Sequence, residues 1–283
     1  MRSRSQSRLA AKTRRNDRGA KTALLAFADG DLRPALLGAT RSERAEVERL
    51  VRQLYPGYLV ASADDGTLSD DLYPPDDITY ATVLAGAELL CDRRLVLDYP
   101  SELPEHLRNA GAGRRIIMHG MHSVVDWLCF AVWEDGRLVR SLSLSPGSGI
   151  RENIGEPYDF EVPYWAGEHS VPGWPDWQPY PLPFRPLELG EEALRALFGF
   201  VVEGRLRPDD LDVEAVHLHG FRVTDPSGEE QAAREAEYEQ ARPPSRAPVR
   251  LNAIGATACR ASSEAKQFRP ARLMVDIAAS SNA

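Results

Sequence analysis

The chain has little cysteine. Cys91, Cys129 and Cys259 are its only thiols, and no two of them form a CxxC pair. That excludes a zinc knuckle or a redox dithiol. Cys91 and Cys129 lie inside apolar runs, where they read as small packing residues in a reducing cytoplasm. Lysine is nearly absent: Lys12, Lys21 and Lys266 stand against 31 arginines. With so much Ala, Gly, Pro and Leu, this composition points to a GC-rich bacterial genome. No apolar run approaches the roughly 18 residues of a membrane helix. The run Ala23–Ala28 behind Arg14-Arg15 resembles an export signal but stops at Asp29, short of the roughly 7–15 residues of a signal core. Neither membrane insertion nor export is expected.

Motifs that would fix an activity are missing too. Gly19-Ala20-Lys21-Thr22 lacks the first glycine of a phosphate loop and precedes a strand instead of following one. Pro146-Gly147-Ser148-Gly149 is a turn, not a nucleophile elbow. No internal repeat and no cofactor fingerprint is present, so no cofactor is expected. The net charge of −8 hides a split. The first 18 residues carry seven Arg or Lys against Asp17, which leaves the remainder at −14. A body this acidic argues against a phosphate-binding surface for nucleic acid.

What is present is a strongly patterned interior. Residues 1–18 show no periodicity and read as a disordered basic tail; residues 19–225 read as one domain, and 226–283 as a solvated helix (Glu229–Ala241) followed by a disordered tail. Within the domain, Thr22–Ala28 is a strand. A helix follows, with Thr40 and Glu43 as a capping box, Val47, Leu50, Val51 and Leu54 on one face, and Pro56-Gly57 as its stop. Tyr58–Ser62 completes what looks like a right-handed βαβ crossover. After the acidic loop Asp64–Asp77, Ile78–Ala85 is a strand, Ala87–Leu97 is apolar and of either type, and Ser101–Asn109 is a short helix capped by Ser101.

Residues 114–145 organise the rest. Strands at about 115–122, 124–133 and 137–145 form a meander, with Asp135-Gly136 as the hairpin turn between the last two. The middle strand is apolar on both faces, so it is central. Ser141, Ser143 and Ser145 alternate with Leu142 and Leu144, placing the third strand near an edge or a wet cleft. Residues 155–186 hold eight prolines and eight aromatics, which prevents ladder pairing and calls for a surface to cover. Glu191–Glu203 is an amphipathic helix closed by Gly204, and Val213–Val223 is a further strand. The fold class that follows is α+β: a single domain with a mixed, mainly antiparallel sheet, two or three flanking helices and a Pro/aromatic-rich covering segment.

The strings HSVVDWLCFAVWEDGRLVRSLSLSPGSGI (122–150), ENIGEPYDFEVPYWAGEH (152–169) and YPLPFRPLELGEEALRALFGFVVEG (180–204) resemble an uncharacterised actinobacterial family, DUF6928. GAKTALLAFADGD (19–31) is similar to that family's usual start, and the resemblance covers roughly 19–225. It implies a soluble actinobacterial protein and says nothing about activity. By the same likeness, residues 1–18 are expected to be a misassigned upstream start and 242–283 a frameshifted or read-through extension.

Two functions compete. In the first, the protein is a cytoplasmic, non-enzymatic binding or accessory protein. Its surface is the aromatic segment, with Trp165, Trp174, Trp177 and Arg140 as binding residues for a protein or small-molecule ligand. In the second it is a hydrolase-like enzyme using Asp126, Glu152, Glu161 and His169, and metal-assisted if His217 and His219 bind an ion. His217 and His219 share one strand face and would suit a metal if a carboxylate converged on them; otherwise they are partly buried histidines satisfied by backbone. His119 and His122 point to opposite faces and cannot chelate together without a break at Gly120. Asp126 is either a structural partner of Arg140 or an acid with a raised pKa.

Overall fold

The structure is a computed structural model that describes residues 19–172 and 179–241. It divides into two compact units, one up to Thr224 and one from Asp225. In the first unit, β1 (Lys21–Ala28) is followed by α1 (Leu32–Leu37), α2 (Arg44–Leu54), β2 (Leu59–Ser62), β3 (Gly66–Thr67), β4 (Ile78–Leu84) and β5 (Ala87–Cys91). Then come α3 (Glu105–Ala110), β6 (Arg115–His122), β7 (Trp127–Glu134), β8 (Arg137–Ser145) and β9 (Gly149–Ile154). The short α4 (Val162–Trp165), α5 (Pro186–Phe198) and β10 (His217–Thr224) complete it. The second unit contributes α6 (Glu229–Ala241), whose described side chains are mostly exposed. No helix among the described residues is long and apolar enough to cross a membrane.

All the strands join one α+β sheet in the order β2-β10-β4-β5-β1-β6-β7-β8-β9, with β3 beside β10. Every pairing is antiparallel. The strand–helix–strand unit at the start therefore does not make a parallel pair: three strands separate β1 from β2, and the last strand of the sheet, β10, inserts between β2 and β4.

Alternation along the central strands builds two cores, one on each face. Leu24 and Ala26 of β1 and Leu128, Phe130 and Val132 of β7 point to the face covered by α5, Tyr164, Leu182 and Phe184. Leu25, Phe27, Cys129, Ala131 and Trp133 point to the other, covered by Val47, Val51 and Leu54 of α2 and Leu107 of α3. Burying both faces of a strand removes a large apolar area from water at about 25 cal/mol per Å². That is why β7, apolar on both sides, sits near the middle. The Pro/aromatic segment covers the first face as its composition suggests, with the Phe160 ring 6.0 Å from Phe130.

Several local readings shift. Arg44, not Thr40, starts α2, and its N-cap, Glu43, makes no side-chain capping bond. Ser101 caps nothing: it lies in a 3-10 turn, Pro100–Glu102, and bonds Glu152 instead. Val124 and Val125 are exposed in the turn before β7, where Asp126 takes a left-handed φ of 49°. The β6–β7 connection needs those residues for its bend, so β7 begins only at Trp127. β8 is not an edge strand, because β9 pairs with it and Ser141 and Ser143 are fully buried. α5 runs five residues earlier than its acidic stretch indicates. Pro186 occupies its first turn, as a fixed φ and missing N–H allow. Gly199, at φ 83°, closes it in the left-handed conformation that glycine adopts without strain.

Candidate functional site

The four carboxylate and histidine candidates of the central region do not converge. Asp126 accepts from Tyr180 Oη at 2.6 Å and from the Leu187 amide at 3.3 Å, so it ties the covering segment to the first turn of α5. Its partner is not Arg140. Glu152 accepts from the Ser101 amide at 3.0 Å and from the Ser101 and Ser141 hydroxyls. Glu161 and Arg140 form a fully buried two-pronged pair, with Nε donating to Oε1 at 2.9 Å and Nη2 to Oε2 at 2.6 Å. The remaining Arg140 nitrogen donates to Asn153 Oδ1 at 2.7 Å and to the Ile154 carbonyl at 2.9 Å. Trp165 donates its indole N–H to Glu161 at 3.3 Å and packs against the core. His169 stacks on Tyr164 with ring centroids 3.9 Å apart. Trp174 and Trp177 lie outside the described residues.

A different cluster does converge, and it includes the two strand histidines. Along β10, His217 and His219 share a face with Phe221 and Val223, the face that α2 covers. The carboxylate that joins them is Asp65, from the acidic loop. Its position comes from a β-bulge. β2 pairs Ser62 with Phe221, and β3 resumes by pairing Gly66 with Leu218. Residues 63–65 therefore face only His219 and Gly220, and the extra residue re-aims the edge. Gly220 is what lets the bulge lie flat, since a Cβ there would overlap the Asp64 carbonyl oxygen. Arg44, at the start of α2, holds the bulge in place: its guanidinium donates to the Gly220 and Ala63 carbonyls at 3.2 Å each.

Asp65 Oδ1 lies 3.2 Å from His219 Nδ1, and Oδ2 lies 3.3 Å from His217 Nε2. The three ligand-capable atoms all fall within 4.8 Å of one another. His219 Nε2 is 2.8 Å from the Ser42 carbonyl oxygen. A carbonyl only accepts, so this nitrogen carries the proton, and in the neutral ring Nδ1 is bare and aimed at the carboxylate. Two lone-pair atoms at that distance need a positive charge between them, either a proton or a metal ion. His217 Nδ1 is buried with no partner among the described residues, so nothing fixes that ring's tautomer. Burial, and then the charge of Arg41, push the His217 pKa down against the pull of Asp65. Burial raises the Asp65 pKa, but the His219 contact and the Arg44 charge outweigh it, and the net shift is down.

Asp65 is also held by two guanidiniums, Arg41 on Oδ2 at 2.9 Å and Arg44 on Oδ1. Arg41 is 65% exposed, whereas Arg44 is wedged over the Phe221 ring, 5.3 Å from its centroid. The His219 side chain is nearly buried at 3%, while those of His217 and Asp65 keep 23% and 25%. The cluster thus has a closed inner wall and an open outer side.

Elsewhere, a cleft of about 610 Å³ opens beside Tyr164, His169, Glu188, Arg195 and Arg207. Two of its guanidiniums are paired: Arg195 bonds Asp210 at 2.9 Å and Glu192 at 2.5 Å, and Arg207 bonds Glu192 at 2.9 Å. Glu191, the first residue of the helix expected from the sequence, is buried and accepts the Val202 and Glu203 amides at 2.8 Å each. Its pKa is raised, chiefly by burial.

A family model described as "Family of unknown function (DUF6928)" matches residues 22–221, a span that includes Asp65, His217 and His219. No curated protein and no solved structure matches the chain.

Proposed function

The chain belongs to the DUF6928 family, and from the geometry of its Asp65–His217–His219 cluster we propose that it binds one divalent transition-metal ion and acts as a metal-assisted hydrolase. The observation that carries this is the convergence of a carboxylate with two histidines. An Asp–His proton pair needs only one ring, whereas here His217 Nε2 and His219 Nδ1 approach opposite oxygens of the same carboxylate. The Ser42 carbonyl supports His219 as such groups support ligating histidines, by accepting the N–H of the nitrogen that does not bind. An N/N/O donor set suits Zn²⁺ and its neighbours in the first transition row.

Three protein ligands rather than four, on an open outer side, is the pattern of a working site and not of a structural one. An ion held there supplies Lewis-acid character at a position the protein leaves to water and substrate. The chain's own part is to keep His219 in one tautomer, to hold Asp65 on the bulge through Arg44, and to bury the inner side of the cluster.

The expected result is one equivalent of Zn²⁺ per chain by equilibrium dialysis and elemental analysis. His217→Ala and Asp65→Asn should each weaken uptake by more than the roughly 10–100-fold that loss of an outer-shell partner costs, while Glu152→Gln, far along the sheet, leaves it unchanged. Wild-type protein that takes up no more metal than Asp65→Asn would overturn the reading.

A second reading, a non-enzymatic binding or accessory protein acting through residues 155–186, is supported by the cleft that Tyr164 and His169 border. Native mass spectrometry separates the two: a small molecule lost on His169→Ala speaks for the cleft, a metal lost on His217→Ala for the cluster. A cytoplasmic location and an actinobacterial source fit the free, buried thiols of Cys91 and Cys129 and the Arg-rich composition.

A further inference from the structure

Two guanidiniums beside a metal site are electrostatically out of place. With neutral histidines, Arg41, Arg44 and Asp65 sum to one positive charge, and a divalent ion would raise this to three. One carboxylate does not compensate that. The neighbouring acids Asp64 and Asp71 interact with Tyr80, whose ring packs with the opposite core. Arg44 has a structural reason to be present, because it satisfies the bulge carbonyls. Arg41 has none. It is 65% exposed, and its bond to Asp65 Oδ2 uses the same oxygen that faces His217. An ion drawn between Asp65 and His217 competes for that oxygen and frees the Arg41 fork at the rim of the open side.

We infer that the cluster takes a substrate bearing a phosphate group, with the group's oxygens shared between the metal ion and the guanidinium of Arg41. This rests on the metal reading and deepens it. A dianionic phosphate neutralises most of the surplus charge. Arg binds phosphate through two parallel N–H···O bonds, a geometry that lysine cannot copy. Arg41 is thereby a substrate-binding residue, and its exposed stem lets it reach outward without disturbing the wall behind it.

Co²⁺ alone, and then inorganic phosphate, are the probes. Wild-type protein loaded with Co²⁺ shows a visible absorption band that shifts as phosphate is added, and calorimetry gives the phosphate affinity. Arg41→Ala is expected to weaken phosphate binding by about tenfold or more while metal uptake stays equal or becomes tighter, because a repelling charge has gone. Arg52→Ala, which removes a positive charge from the last turn of α2, is the control and is expected to change neither. Protein that takes up Co²⁺ but binds phosphate equally well with and without Arg41 overturns this inference and leaves the metal reading standing. Equal losses in Arg41→Ala and Arg52→Ala reduce the effect to net charge and also overturn it, as does acetate binding in preference to phosphate. A wild-type chain that takes up no Co²⁺ removes both.

Discussion

His119 shows what one buried side chain does to the pH response of the whole protein. It is fully buried, with Nδ1 2.8 Å from the Thr22 hydroxyl of β1 and Nε2 3.0 Å from the Gly190 carbonyl of α5. Burial pushes its pKa down from 6.5 to about 4. The unfolded chain therefore binds a proton between those values that the folded chain refuses. Stability is full above about pH 6.5, falls as pH drops toward about 4, and levels off below it. Two to three powers of ten in proton affinity correspond to roughly 3 kcal/mol. Half-buried His122, lowered to about 4 by burial and then by Lys21 and Arg93, adds a fall of the same sign. Urea unfolding from pH 7.5 to 4 should show a shallower decline for His119→Gln than for wild type; parallel declines would dismiss this assignment.

Among the elements, the covering segment depends most on one interaction. Arg140 on β8 reaches Glu161, Asn153 and the Ile154 carbonyl, so it pins both β9 and the turn leading into α4. A buried pair of this kind is not a large net source of stability, but removing one partner leaves the other charge stranded. Glu161→Gln or Arg140→Met is expected to cost about 3–5 kcal/mol in urea unfolding, with faster protease cleavage in residues 155–172. A loss below about 1 kcal/mol, the range of an exposed pair, would contradict it. The central meander, the Asp135-Gly136 hairpin and the cover over one sheet face were legible because alternation and turn chemistry are local signals. β9 was not: its string GIRENI shows no apolar alternation, and only its pairing with β8 makes it a strand. The site was half legible. His217 and His219 follow from period-two spacing, but Asp65 arrives through a bulge opposite a strand 154 residues away in sequence. A string of acids in a loop carries no trace of that. The partners of Asp126, Glu152 and Glu161 were not legible either: Tyr180, Ser101 and Arg140 lie 54, 51 and 21 residues away in sequence.

For the molecule as a whole, the sheet has a protected centre and two thin margins. β1, β6 and β7 lie between paired neighbours and under helices, while β2 and β9 end the strand order. Hydrogen exchange should therefore be slowest in β1, β6 and β7 and early in β2 and β9; the reverse order would show that the two cores do not set the global stability. The place of β10 has a consequence during synthesis. The strand that fills the gap between β2 and β4 is the last one made, and it carries both histidines. A ribosome adding about 5–20 residues per second exposes Asp65 roughly 8–30 s before His219. Until then the growing chain holds β2 and β4 with bare edges and no cluster at all. The three side chains of the cluster thus meet only as the last strand of the sheet slots home.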